Sequence, residues 1–258
     1  MILKQPIKTL TNRFPEFILS AMTSQTKLPS LSIFFPAYND EHSIAALTEA
    51  CILIAGRLTD DFEILIVHDH SPDKTGQVAD ELARKFKEVR VIHHEKNFGV
   101  GRSMIDGFTQ SSKEYVFYTD GDAQYDVKEL ERFAEFAGQF KAVIGYRLKR
   151  AEGFKRVFTS RCFHALTFFL FGLRYRDIDC SFKLFHRSFL NKVNFHTKSA
   201  LVDPELLINA DRLKIPVKEI GVHHYLRSHG SSQCLRLKLI VAMIRDMLRL
   251  RWVYWFKV

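Results

Sequence analysis

Asp120 and Asp122 stand one residue apart across Gly121, at the end of an aromatic and β-branched run from Tyr115 to Thr119. Such a run reads as a buried strand. The glycine lets the backbone turn, so that two carboxylates at the strand end can reach toward one point. Like charges placed that way repel unless a cation sits between them. Hard oxygen ligands suit Mg²⁺ or Mn²⁺, held jointly with substrate phosphates. An isolated Asp-x-Asp is also an ordinary solvated turn, because turns favour Asp and Gly. The segments before it favour the site.

Three earlier apolar runs end in polar clusters of the same kind. The first ends in Pro36-Ala37-Tyr38-Asn39-Asp40, the second in Val67-His68-Asp69-His70-Ser71-Pro72-Asp73. The third runs into Lys96-Asn97-Phe98-Gly99-Val100-Gly101. One polar strand end means little. Four consecutive strands delivering them to one edge of a sheet make a site. The elements that must do so are strands over 31–40, 62–69, 89–94, 115–119 and 142–148. Between them the periodicity predicts helices over 42–58, 75–88 (with Thr75 as its cap) and 99–111, and one from 127 onward. Strands too apolar to face water on either side, alternating with helices, imply an α/β fold with a mostly parallel sheet flanked by helices. Ligands of such sheets bind beyond the carboxyl ends of the strands. The Gly99-Val100-Gly101 stretch lacks the third glycine of a dinucleotide loop, since position 104 is Met. Its glycines are read as close packing of helix on sheet.

Apolar residues make up 47% of the 258 and charged residues 26%, which is globular composition. The formal charge of +9 is local: residues 141–161 carry seven Lys/Arg against one acid, and so do residues 227–258. That asymmetry predicts an anionic surface or ligand near those two segments, with no nucleic-acid partner. Cys51, Cys162, Cys180 and Cys234 are widely spaced, which reads as free thiols in a reducing compartment with no zinc site. Lys4, Lys8, Arg13 and Glu16 interrupt the N-terminal apolar stretches, so no signal peptide is expected. No uncharged apolar run reaches the roughly 18 residues of a spanning helix. The expected location is cytoplasmic, peripheral on a membrane face.

PAYND, VHDHSPD, NFGVGRS, DGDAQ and the later DIDCSFKLFHR (177–187) resemble, in order and spacing, the inverting family 2 glycosyltransferases with a GT-A fold. The branch they are most similar to is that of dolichol-phosphate mannose synthase and the polyprenyl-phosphate glycosyltransferases. The resemblance covers about residues 30–232. It departs at His68-Asp69, where the family has two Asp residues, at Asp40, where it has Glu, and at 230–233 (GSSQ), which lack the customary Lys.

The resemblance implies a Rossmann-like GT-A domain over 30–233, after an N-terminal extension (1–29) and before a basic amphipathic helix (234–258). It implies a nucleotide-sugar donor, UDP- or GDP-linked, bound by Pro36, Tyr38, Asp40, Val67, Asp69, Asp120, Gly121, Asp122, Gln124 and Arg227. Asp120 and Asp122 would hold the metal and Gln124 would orient the donor. Arg147 and Arg161 would take a polyprenyl phosphate acceptor, because a guanidinium fork suits phosphate oxygens. A saccharide acceptor with Asp203 or Glu205 as base is the competing reading, and a non-catalytic membrane-bound scaffold a further one. His223-His224 reads as a strand-edge pair in preference to a metal site. Residues 157–173 form a Phe-rich helix beside the basic segment. In 235–258, Lys238, Arg245 and Arg249 share a helical face roughly opposite Ile240, Met243, Met247 and Tyr254, with Trp252 and Trp255 near the end. That pattern predicts a helix lying in a membrane interface. A homo-oligomer or a membrane-protein partner stays open.

Overall fold

The computed structural model describes residues 27–148, 154–197, 199–226 and 237–256. Its strands are β1 (Leu31–Ala37), β2 (Phe62–His68), β3 (Val89–His93), β4 (Tyr115–Thr119), β5 (Ala142–Arg147), β6 (Phe182–His186) and β7 (Val217–Val222). The helices are α1 (Ile44–Leu58), α2 (Thr75–Lys85), α3 (Val100–Gln110), α4 (Leu130–Ala137), α5 (Phe154–Phe171), α6 (Arg187–Leu190), α7 (Val202–Arg212) and α8 (Leu237–Phe256). One sheet holds all these strands in the order β3-β2-β1-β4-β6-β5-β7.

The sheet is parallel except for β6, which runs antiparallel to both β4 and β5. The carboxyl ends of the other strands therefore share one edge. The pairing of Thr119 with Phe182 brings the start of β6, and the residues just before it, to that same edge.

Both sheet faces are covered. Ile33 and Phe35 of β1 face a core completed by α1, α2 and α4, while Phe34 faces one completed by α3, α5, α7 and α8. This two-sided burial is why the strands read as continuous apolar runs rather than alternating ones. The carboxyl-terminal helix α8 belongs to the second core, through Met247, Leu250 and Tyr254. Thr75 is the first residue of α2 and not its cap; its Oγ1 instead accepts the backbone N–H of Asp40 at 2.9 Å. The Gly99 reading is also corrected. A Cβ there would meet nothing within 4 Å, and what needs glycine is its φ of +84° as the residue capping α3.

Candidate functional site

Each of the first four parallel strands leaves the sheet through a left-handed residue. Asn39 (φ 57°) follows β1, His70 (φ 53°) follows β2, Gly99 (φ 84°) follows β3 and Ala123 (φ 56°) follows β4. Three of these are not glycine, a cost of order 1–3 kcal/mol each that the surroundings must hold in place. Cross-links between the exits do so. The Asn39 N–H donates to Ser71 Oγ (2.8 Å), the Asp69 N–H to Ala37 O (3.2 Å) and Ser43 Oγ to Gly121 O (2.9 Å). Gly121 itself lies against β1: a Cβ at this position would sit 2.3 Å from Pro36 O. The glycine between the two aspartates is thus set by backbone crowding.

Asp120 and Asp122 meet at this edge. Burial first, and then the charge of Asp122, push the Asp120 carboxyl up to about 7, while Arg147 draws it back down. A carboxyl destabilised by its neighbour is what a cation between the two would relieve, so the donor set fits a divalent metal. Among the described residues no group of three or more His, Cys, Asp or Glu converges on one point. Two protein carboxylates plus substrate oxygens is a recurring arrangement for Mg²⁺.

The antiparallel strand β6 supplies what the sequence reading left unassigned. Asp177, five residues before it, takes Arg147 Nε at 2.7 Å and Nη2 at 2.8 Å, and also accepts the Arg147 backbone N–H at 3.2 Å. The side chains are 7% and 4% exposed. Burial works against the Arg147 cation, but the Asp177 bonds outweigh it and raise its pKa. Lys183 is fully buried and donates to Ile178 O (3.0 Å), Cys180 O (2.6 Å) and Asp203 Oδ1 (2.6 Å). Asp203, read as a base or a helix start, is the partner of that lysine. Glu205 is completely buried and accepts from the N–H groups of His196 (2.7 Å) and Thr197 (3.0 Å) and from Tyr254 Oη (3.1 Å). It holds α7 and α8 together. The signal for Asp177 and Lys183 was the DIDCSFKLFHR motif, but their partners lie 30 and 20 residues away.

The residues read from the sequence as donor-binding fall at the edge with contacts of their own. Asp40 Oδ2 accepts the Tyr38 N–H at 3.0 Å. Val67 is fully buried in the second core. Asp69 accepts the N–H groups of Phe98 (2.8 Å) and Gly99 (2.7 Å). His68, in place of the family Asp, accepts the Ser71 N–H through Nε2 (2.9 Å) and meets His93 Nδ1 at 2.9 Å. Burial and the neighbouring His93 lower its pKa. Gln124 Nε2 donates to Tyr225 O (2.8 Å) and pins the segment that leaves β7. In that segment His223 Nδ1 pairs with Glu129 at 3.0 Å. Arg227 lies outside the described residues.

Arg161, the other arginine read as meeting an acceptor phosphate, lies on a more exposed surface, on α5. On α8 the predicted interfacial face is corrected. Met247 and Tyr254 are buried against the protein's own core, where Asn209 Nδ2 donates to Tyr254 Oη at 2.7 Å. A second apolar stripe is the exposed one: Ile244 (40%), Leu248 (54%), Trp252 (55%) and Trp255 (64%). At about 100° per residue these four fall within an arc of roughly 80°. Phe168 and Phe169 are exposed on α5, which packs against α8. Among the described residues no helix is long and apolar enough to cross a membrane.

Comparison with known proteins agrees with this geometry. Residues 32–194 match the model of the family described as Glycosyl transferase family 2. The chain is 30% identical over 238 residues to the dolichyl-phosphate beta-glucosyltransferase of Homo sapiens, covering 81% of this chain and 74% of that one. It is 28% identical over 225 residues to the undecaprenyl-phosphate 4-deoxy-4-formamido-L-arabinose transferase of Proteus mirabilis, covering 86% and 68%. Among solved structures, glucosyl-3-phosphoglycerate synthase of Mycobacterium tuberculosis, in complex with Mn²⁺, UDP and glucosyl-3-phosphoglycerate, superposes with a TM-score of 0.62. That match has 18% identity and covers 97% of this chain and 86% of the other.

Proposed function

The chain belongs to glycosyl transferase family 2, and from that premise we propose that it moves a sugar from a nucleotide-sugar donor to a polyprenyl phosphate, inverting the anomeric centre. It is a glycosyltransferase of GT-A fold. Both curated relatives above carry a polyprenyl phosphate in their names, one dolichyl and one undecaprenyl, which supports that acceptor class. The observation that carries the reading is the buried Arg147 guanidinium beside Asp120, at the edge where the strand exits converge.

The chemistry follows from charge. A phosphate monoester is largely ionised at neutral pH, its second pKa being about 6, so the attacking oxygen needs alignment more than a base. The pairing of Asp203 with Lys183 and the burial of Glu205 agree with a mechanism that uses neither. Asp120 and Asp122 would hold Mg²⁺ or Mn²⁺ on the donor diphosphate. When bound, that ion supplies a Lewis acid that offsets charge on the leaving diphosphate. Asp177 fixes the plane of Arg147 and partly neutralises it, so the exposed Arg161 provides the longer-range attraction for an anionic acceptor.

The stripe Ile244, Leu248, Trp252 and Trp255, together with Phe168 and Phe169, is the surface assigned to the membrane. Tryptophan and flanking arginines suit the headgroup boundary. Free thiols at Cys51, Cys162 and Cys180 suit the cytoplasmic face. Incubation of the purified protein with labelled UDP-glucose or GDP-mannose, Mn²⁺ and a polyprenyl phosphate tests the reading. A solvent-extractable labelled lipid is expected; label only in water-soluble saccharide would replace it with a saccharide acceptor.

A further inference from the structure

Asp69 was expected to meet the nucleotide base, yet its carboxylate is engaged on three sides. Two of the donors are the backbone amides of Phe98 and Gly99, at the start of α3. The third is His94 Nδ1, 2.6 Å from Oδ1. The other ring nitrogen of His94, Nε2, lies 3.0 Å from Asp106 Oδ2, and the same oxygen accepts Arg102 Nε at 2.6 Å. The His94, Asp69 and Asp106 side chains are 6%, 4% and 11% exposed. Both ring nitrogens of His94 face carboxylate oxygens, so the ring is held between Asp69 and Asp106. The chain Asp69–His94–Asp106–Arg102 closes a loop: from the exit of β2, through the exit of β3, to α3 and back through the amides that α3 presents. The His94 backbone joins it as well, its N–H donating to His68 O at 2.9 Å.

We propose that His94, backed by Asp106 and Arg102, is a positioning residue for nucleotide binding: it holds the Asp69 carboxylate in the orientation that keeps the Phe98 and Gly99 amides in place, and so shapes the exit loop of β3 as a wall of the donor pocket. This rests on the reading of the sheet edge as a nucleotide-sugar site. It also changes the part Asp69 plays, from a contact with the base to the anchor of a loop. Phe98, 46% exposed and edge-on to His94 with ring centroids 5.4 Å apart, is the side chain the loop then presents to solvent at that wall.

The test uses the whole chain and two readouts. Binding of UDP and of GDP, each with Mn²⁺, is measured by calorimetry, and donor KM and kcat are measured in the lipid-product assay. His94→Gln and Asp106→Asn should each raise the nucleotide Kd and the donor KM, by about tenfold for His94→Gln and less for Asp106→Asn. The kcat at saturating donor should stay within about twofold of wild type, since the loop shapes binding and not the reacting atoms. Should His94→Gln not fold, Asp106→Asn and Arg102→Gln, the latter at the half-exposed end of the chain, decide the matter by the same split. Folded variants that bind nucleotide as wild type does, or that lose kcat with KM unchanged, would overturn the proposal while leaving the transferase reading intact. A wild-type chain that binds neither nucleotide and makes no product would remove both.

Discussion

At the exits of β1 to β4, carboxylates and amides are already paired with one another; along α5 and α8, Phe169 and Trp255 are 80% and 64% exposed. The edge proposed for the donor is a set of short polar links in backbone that is held left-handed at Asn39, His70, Gly99 and Ala123. The side read as acceptor-binding combines one oriented arginine, Arg147, with an apolar surface on α5 and α8 that is largely exposed among the described residues. The difference suits two kinds of ligand. A water-soluble nucleotide needs a preformed pocket, because each loop ordered on binding weakens affinity. A lipid phosphate arrives already held at a membrane, so its site needs a docking surface and a fixed charge.

The largest effect that would break this contrast is at the metal. Asp122→Asn should cut transfer by roughly a hundred- to a thousandfold, the scale of losing a preorganised electrostatic group. Its melting temperature should stay near that of the wild type, since Asp122 is only half-buried. EDTA should reproduce the loss in wild type, and full activity in EDTA would remove the metal from the mechanism.

The two arginines should then separate. Arg147→Ala leaves Asp177 buried without its partner, which typically costs about 3–5 kcal/mol of stability on top of any loss of transfer. Arg161→Ala, on the surface, should reduce kcat/KM for the lipid acceptor by about tenfold with unfolding unchanged. Chemical denaturation beside the lipid assay separates the cases. An Arg161→Ala enzyme with wild-type rate would mean that this arginine is merely solvated.

The two apolar faces of α8 offer a sharper version of the same comparison. Met247→Ala, in the core, should cost about 2–5 kcal/mol of stability. The double change Trp252→Ala and Trp255→Ala should leave stability alone and weaken cosedimentation with anionic phosphatidylglycerol vesicles. Unaltered vesicle binding in the double variant would detach this stripe from the membrane.

The smallest effect concerns pH. Burial, followed by the charge of Asp177, pushes the Asp179 carboxyl up to about 7 from its ordinary value of 3.8. The folded chain thus favours its protonated form: this contribution to stability is complete below 3.8 and is lost as pH rises through about 7. With 35% of the side chain in water, the change is modest. Asp179→Asn should flatten the decline of melting temperature with rising pH over that window; an identical slope in both proteins would show that Asp179 is ionised throughout.

Much of the polar sheet edge was legible in the sequence. The run from Tyr115 to Thr119 is β4 to the residue, and the other early strands end within three residues of their predicted ends. Polar residues following apolar runs are local information, and a parallel sheet turns that order directly into proximity. Less legible were the side-chain roles at that edge. Val67 turned out to be core, and Asp69 turned toward the Phe98 and Gly99 amides, because which way a strand-end side chain points depends on its neighbours across the sheet.

The sequence by itself determined the order of elements as far as β5, the edge at which the first four strands deliver polar groups and the Asp-x-Asp pair, since each follows from spacing along the chain. Only the tertiary structure decided that β6 would run antiparallel between β4 and β5, bringing Asp177 to Arg147 and Lys183 to Asp203. Only the tertiary structure chose which apolar stripe of α8 is buried. Helical periodicity marks out faces, but the face that packs is the one whose shape and hydrogen bonds, here Tyr254 to Asn209 and Glu205, meet a partner surface made by distant residues.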